Sequence, residues 1–142
     1  MDKNTNIGFS LFEIKTDQFA IIEENYNQKS AIDLGTDFTF GLNNENKVFS
    51  VTAKFVFFAK KKTFMQIQCT CFFSIDDINW NNFMKEGKIT FPQNFVCHMA
   101  MLTVGTSRGI LHSKTENTIF NSYILPTTNV TEIISSDVWF DI

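Results

Sequence analysis

KVFSVTAKFVFFAKKKTFMQIQCTCFFSI, residues 47–75, alternates apolar and polar side chains through two successive segments. In Lys47 to Phe58, Phe49, Val51, Ala53, Phe55 and Phe57 fall on one face, with Ser50, Thr52 and Lys54 on the other. In Thr63 to Phe73, Met65, Ile67, Cys69, Cys71 and Phe73 share a face, with Gln66, Gln68 and Thr70 opposite. Alternation this long, rich in aromatic and β-branched residues, predicts an antiparallel hairpin with one dry face. Lys60, Lys61 and Lys62 solvate its tip.

Upstream, Gly8 to Ile22 predicts a strand whose phase shifts across Thr16 to Gln18, as a bulge or bend would make it. Glu23 to Asp33 is polar, with Tyr26 as its only ring, and predicts a crossing loop. Leu34 to Leu42 predicts the next strand, and Asn43 to Asn46 the turn into the hairpin. Downstream, Ile78 to Met84 predicts one helical turn docked by Trp80 and Phe83 and closed by Lys85-Glu86-Gly87. Thr90-Phe91-Pro92 then opens one long helix, since a proline in the first turn forgoes no hydrogen bond. Phe95, Met99, Leu102 and Thr106 line one side of it; the smaller Val96, Ala100, Thr103 and Ser107 line the next, and Gly109 is the expected stop.

Small residues on a helix face admit a second helix closely. Phe95, Met99, Ala100, Leu102 and Thr103 are therefore the expected oligomer interface. Ile119 to Ile124 predicts an extended arm, Leu125-Pro126 a break, and Asn129 to Ser135 a last short helix. The apolar end, Asp137 to Ile142, requires somewhere to pack. The expected architecture is α+β: a four-stranded antiparallel sheet, a meander with a crossing loop, followed by one long helix and a short C-terminal element, all in one domain over residues 1–142.

The anomaly in composition is phenylalanine, with 17 in 142 residues. That exceeds what one side of a four- or five-stranded sheet usually hides, so some rings are expected to meet a partner subunit or a ligand. A net charge of -3 with scattered Lys and Arg leaves no basic footprint for nucleic acid. The polar N-terminus and the lack of a long apolar run predict no signal peptide and no membrane span, leaving the cytoplasm as the expected location. An odd count of three cysteines argues against a disulfide framework.

Candidate chemistry is thin. Cys69 and Cys71 lie two apart on one strand face, which suits burial, and His98 and His112 complete no metal pattern with them. Gly105-Thr106-Ser107-Arg108-Gly109 has the letters of a nucleophile elbow but stands at an expected helix end, whereas an elbow follows a strand. Asp76-Asp77 reads as a helix cap, and Glu13 and Asp17 are only generic acids. No enzyme and no cofactor are expected. A pocket for a small apolar ligand is an alternative, but four or five strands are too few to close a barrel.

The ordered set Phe72-Phe73-Ser74-Ile75, Phe91-Pro92, Met101 to Gly109, and Leu125-Pro126 with Asn129 beyond resembles the SecB export chaperones. In that family a strand ending in a similar Phe-Ser-Ile precedes a helix that opens on Phe-Pro and closes on Ser-Arg-Gly, followed by a Pro-x-Asn segment. The resemblance implies a small chaperone, usually a dimer of dimers, whose apolar grooves hold unfolded or nascent polypeptide, in export or beside a toxin-antitoxin system. It implies a groove along the crossing loop and adjoining strands: Tyr26, Phe38, Phe40, Phe55 and Phe57, with Phe19 and Ile21 nearby. The family docks to the translocation motor through acids on the sheet and a polar tail. Here Asp17 matches one acid, Gln66 stands at the place of another and no such tail follows, so the motor interaction is not expected. A non-catalytic interaction protein of the same fold is the other reading.

Overall fold

The computed structural model describes residues 7–142. Its centre is the hairpin of β3 (Val48–Ala59) and β4 (Lys62–Ile75). The register pairs Phe49 with Phe73, Val51 with Cys71, Ala53 with Cys69, Phe55 with Ile67 and Phe57 with Met65. All ten are buried, so the dry face is the one the alternation marks. The turn is tighter than expected: Lys60 and Lys61 alone form it, at φ 49° and 66°. Two left-handed residues match the twist of the flanking strands. A register shift then follows at Phe57/Phe58, and both Phe64 and Met65 turn inside.

β1 (Phe9–Ile21) and β2 (Ile32–Asn43) complete an antiparallel sheet of order β1-β4-β3-β2. Consecutive strands β1 and β2 thus occupy opposite edges, and the connecting loop, with a 3-10 turn at Glu23–Asn25, passes around the hairpin tip. Its anchors are there: the Ile22 amide donates to the Phe64 carbonyl at 2.7 Å, and Asn25 Nδ2 donates to the Thr63 carbonyl at 2.9 Å. The expected phase shift in β1 lies between Thr16 and Gln18; a second, between Leu11 and Glu13, accompanies it. The registers stack the inner face into rows, among them Leu11-Phe73-Phe49-Leu42, Thr16-Cys69-Ala53-Phe38 and Ile21-Met65-Phe57-Leu34.

Helix α2 (Gln93–Lys114) lies over β3 and β4. Asp137 Oδ1 accepts the Gln93 amide at 2.8 Å, satisfying one of the free donors at the helix start. The helix runs through Gly109, where the sequence marks a stop. Gly105 and Gly109 have open space where a side chain would stand, and neither leaves the helical conformation. The face expected at an oligomer interface is instead buried within the chain: Phe95 is 5 % exposed, and Met99, Ala100 and Thr103 are 0 % exposed. The physical reason is the sheet below, whose central rows carry the small side chains Ala53, Cys69 and Cys71 and so admit the small side of the helix. Only Leu102 of that set, at 37 %, keeps a face outward.

The segment after α2 turns in a short 3-10 stretch at Ile119–Ser122, where the sequence predicts an extended arm. It then runs back along α2 as a strap. Arg108 donates to the Leu125 and Pro126 carbonyls at 2.7 and 3.1 Å, and Gln93 Nε2 donates to the Ile134 carbonyl at 2.7 Å. A short helix, α3 (Val130–Ile133), sits within the strap. Between β4 and α2 comes helix α1 (Asp77–Phe83). A second small sheet follows, of order β5-β6-β7, made of β5 (Met84–Lys85), β6 (Lys88–Phe91) and β7 (Val138–Asp141). Glu86 at φ 53° and Gly87 at φ 78° turn its first hairpin, so Thr90-Phe91 ends a strand before Pro92. The apolar end thereby finds its packing partner in β6.

A left-handed lysine is unfavourable because its Cβ crowds the following carbonyl. Lys61→Gly is expected to raise stability by about 1 kcal/mol, and Lys61→Val to lower it by about as much, read as shifts in the urea midpoint.

Candidate polypeptide-binding surfaces

The residues expected in one groove occupy four places. Phe19 and Ile21 lie on the inner face of edge strand β1, and Phe38 and Phe40 on the inner face of edge strand β2, all half-buried. The outer strands of such a sheet stand about 14 Å apart. Phe55 and Phe57, on β3 between them, are 0 % and 4 % exposed. Neither reaches a surface, because α2 and the strap cover the middle of the sheet. Tyr26 stands at the hairpin tip, half-buried.

Tyr26 belongs to an aromatic box that the sequence reading missed. Its ring centroid lies 4.9 Å from Phe64 and 4.9 Å from Phe120, and its hydroxyl meets the Tyr123 hydroxyl at 2.7 Å. Phe57 closes the box, 6.1 Å from Phe64 and 5.9 Å from Tyr123. The one available signal was the break of alternation at Phe64-Met65. Nothing local announced that Phe120 and Tyr123 would meet a loop nearly one hundred positions upstream.

The second missed surface is the flank between β1 and α2. The strap covers the opposite flank of the helix, and among the described residues none covers this one. His98 stands 5.7 Å from Phe9 at one end, and Leu102 follows one turn along the same side. Across from them Leu11 and Ile14, 39 % and 47 % exposed, lie on the inner face of β1, whereas Phe12, 54 % exposed at the bulge, turns to Phe72 on the outer face, 6.4 Å between ring centroids. β1 is a 13-residue edge strand whose outer hydrogen-bonding side has no partner among the described residues. A long, apolar, open edge is a template for pairing.

The outer face of the sheet mixes polar side chains with half-buried Val56, Phe58 and Phe72. Thr52 and Thr70 share a hydrogen bond at 2.7 Å, Thr70 donates to Asp17 Oδ2 at 2.6 Å, and Gln66 donates to Gln18 at 3.4 Å. Ser107 and the three cysteines lie in the core. Ser107 is fully buried and donates to the Thr103 carbonyl at 2.8 Å within the helix. Burial pushes the Cys69 and Cys71 thiols up, away from the thiolate that nucleophilic or metal chemistry needs, although hydroxyls of α2 draw near both. Cys97 donates weakly to the Ile134 carbonyl at 3.7 Å and is likewise pushed up by burial.

Burial, reinforced by the hydrogen bond with Tyr26, pushes the Tyr123 phenol up to about 12. The folded pKa exceeds the unfolded value, so this group stabilises the fold fully below about pH 10 and ceases to do so as pH rises through about 12. Tyr26 and Tyr123 are the only two tyrosines. Absorbance titration at alkaline pH is therefore expected to show a tyrosyl step displaced to about pH 12, drawn down by Tyr26→Phe. Two steps together near pH 10 would mean that water reaches the box.

No family model matches the chain, and no curated protein matches it in sequence. Among solved structures it is similar to the SecB-like chaperone Rv1957 of Mycobacterium tuberculosis, solved in complex with a ChAD peptide from the HigA1 antitoxin. The TM-score is 0.54 at 11% identity, over 85% of this chain and 88% of that one. A protein of unknown function from Streptococcus agalactiae also matches, at a TM-score of 0.41 and 14% identity, over 88% of this chain and 99% of that one. The chain has an α+β fold that resembles that of the SecB-like chaperone.

Proposed function

We propose that this chain is a single-domain, SecB-like chaperone that binds non-native or extended polypeptide, without catalysis or cofactor, and works as a homo-oligomer. The observation that carries the reading is the apolar surface left along the sheet edges: Leu11, Phe12 and Ile14 on β1, with half-buried Phe19, Phe38 and Phe40. Phe49, Phe55, Phe57, Phe64, Phe73, Phe91, Phe95 and Phe120 are buried; the other phenylalanines are not. Extended polypeptide binds such a surface by apolar contact and by adding a strand to an open edge. The SecB-like fold supports the same reading, since a protein of that fold holds an antitoxin peptide. A client tied to a toxin-antitoxin system fits better than the export motor, because Asp17 is engaged by Thr70 and Gln66 replaces an acid. Three thiols without disulfide partners suit the cytoplasm.

The subunit contact belongs to β1 and the bare flank of α2, with Leu102, in place of the buried helix residues. Two copies pairing through β1 would cover Leu11 and Ile14 and satisfy the open edge. A charge pointing into such a contact is costly to desolvate, so Ile14→Asp is expected to weaken the dimer by tenfold or more, on the order of 1.5 kcal/mol and above. Light scattering after gel filtration reads it, and a wild-type chain that stays monomeric at all concentrations would remove the oligomer.

The function is tested by adding the pure protein to a denatured, aggregation-prone protein of unrelated sequence. Turbidity is expected to fall in proportion to added chain up to stoichiometric ratios. No effect at several-fold excess would end the chaperone reading.

A further inference from the structure

We propose that the cleft between α2 and the strap is a binding site for an aliphatic carboxylate, held by Arg108 beside an apolar wall. None of its residues belongs to the sheet edges or to the crossing loop, and the proposal does not depend on the polypeptide-binding reading.

The first observation is an uncompensated charge. Arg108 is the only arginine in the chain and stands half-buried on α2. Of the five N–H groups of a guanidinium, the one on Nε serves the Leu125 carbonyl and one on Nη2 serves the Pro126 carbonyl. Both N–H groups of Nη1 have no acceptor among the described residues, and no carboxylate of those residues pairs with the charge. A cation drawn partly out of water favours an anion beside it, and the planar fork of a guanidinium matches a carboxylate.

The second observation is the cavity next to it. It measures about 170 Å³ and is lined by Met101, Val104 and Arg108 from α2 and by Thr127, Thr128 and Val130 from the strap. Val104 and Val130, each 3 % exposed, and the chain of Met101 offer hydrocarbon. The amides of Thr127 and Thr128 and the Thr127 hydroxyl make no hydrogen bond among the described residues, which leaves them as further donors. The volume is that of about five or six waters, well below the roughly 300–1,000 Å³ of pockets for drug-sized ligands. It is too small for a nucleotide and suits one carboxylate with a short hydrocarbon group. Phosphate would satisfy the guanidinium but leave the apolar wall unmatched. Both a small branched-chain acid and the last residue of a polypeptide ending on an aliphatic side chain have the required chemistry.

Gly105 provides a test that leaves Arg108 and the strap untouched. It lies one turn from Arg108 on the helix and has open space where a Cβ would stand, so a side chain enters without strain. Gly105→Glu puts a carboxylate three residues before Arg108, the spacing of a helical ion pair, and supplies from within the chain what the ligand would bring. Gly105→Gln has the same shape without the charge. Both replace a glycine inside a helix by a better helix former, so lost binding together with a raised melting temperature is not unfolding.

The experiment is an NMR titration of the isotope-labelled chain with N-acetyl-leucine, following Arg108 Nε–H and the amides of Thr127 and Thr128. N-acetyl-leucine is expected to half-saturate these signals at about 1 mM, as a ligand of its size allows. Its amide is expected to bind at least tenfold more weakly, and inorganic phosphate more weakly than the acid. Gly105→Glu is expected to weaken the acid at least tenfold and Gly105→Gln less than threefold, both with raised melting temperature. An unstructured peptide ending in leucine, free or amidated at that end, decides the source. Tighter binding of the free peptide than of N-acetyl-leucine assigns the site to a chain end; equal or weaker binding assigns it to a small free acid.

No shift at Arg108, Thr127 and Thr128, an amide that binds as well as the acid, or a Gly105→Glu chain that binds as well as wild type would each overturn the site. Phosphate that binds as tightly as the acid would overturn the apolar half of the assignment. None of these results bears on whether the chain suppresses aggregation, which is measured separately.

Discussion

The contact on which the rest depends is the seating of α2 on the middle of the sheet. Ala53, Cys69 and Cys71 from β3 and β4 meet the small side of the helix at Ala100, Thr103 and Ser107, all buried. Small against small allows close approach, and large rings are then pushed to the ends of the contact: Phe49, Phe73, Phe91 and Phe95 at one end, Phe57 and Phe64 at the other. Enlarging any member of the central set would lift the helix from its bed and open both aromatic ends at once.

One helix is too narrow for four strands. Its diameter is about 10 Å, and the outer strands stand about 14 Å apart before their own side chains are added. The strap from Leu125 to Ile134 covers one flank, held by Arg108 and Gln93. Among the described residues nothing comparable covers the β1 flank. Leu11, Ile14 and Leu102 are exposed for this geometrical reason, and the asymmetry decides which side of the molecule is left for other chains. Bulges and charges limit pairing along an edge; β1 has two bulges and turns Glu13, Lys15 and Asp17 to the outer face, so Leu11 and Ile14 are the apolar part of this edge.

The crossing loop follows from topology. Since β1 and β2 are consecutive in sequence and at opposite edges in space, the chain has to pass around the hairpin tip. The loop is held there by the Ile22 amide, the Asn25 side chain and the Tyr26 ring.

Period-two alternation was enough to determine the hairpin, its dry face and the bulge at Thr16 to Gln18, because side-chain direction in a strand is set by local backbone geometry. The helix after Pro92 and the polar crossing loop were equally local matters. The direction in which a face looks is not local. Phe95, Met99, Ala100 and Thr103 form the same stripe whether they meet a second helix or the chain's own sheet, and only the small residues of β3 and β4, brought beneath them, decided for the sheet. Likewise Phe55 and Phe57 differ from Phe38 and Phe40 only in strand order, central against edge, which no spacing records. The short sheet of β5, β6 and β7 was hidden for another reason: two- and four-residue strands carry no period, and β7 exists because the far end of the chain returns to pair with β6. Sequence specified the faces; tertiary structure chose what each of them touches, because burial depends on neighbours distant in the chain.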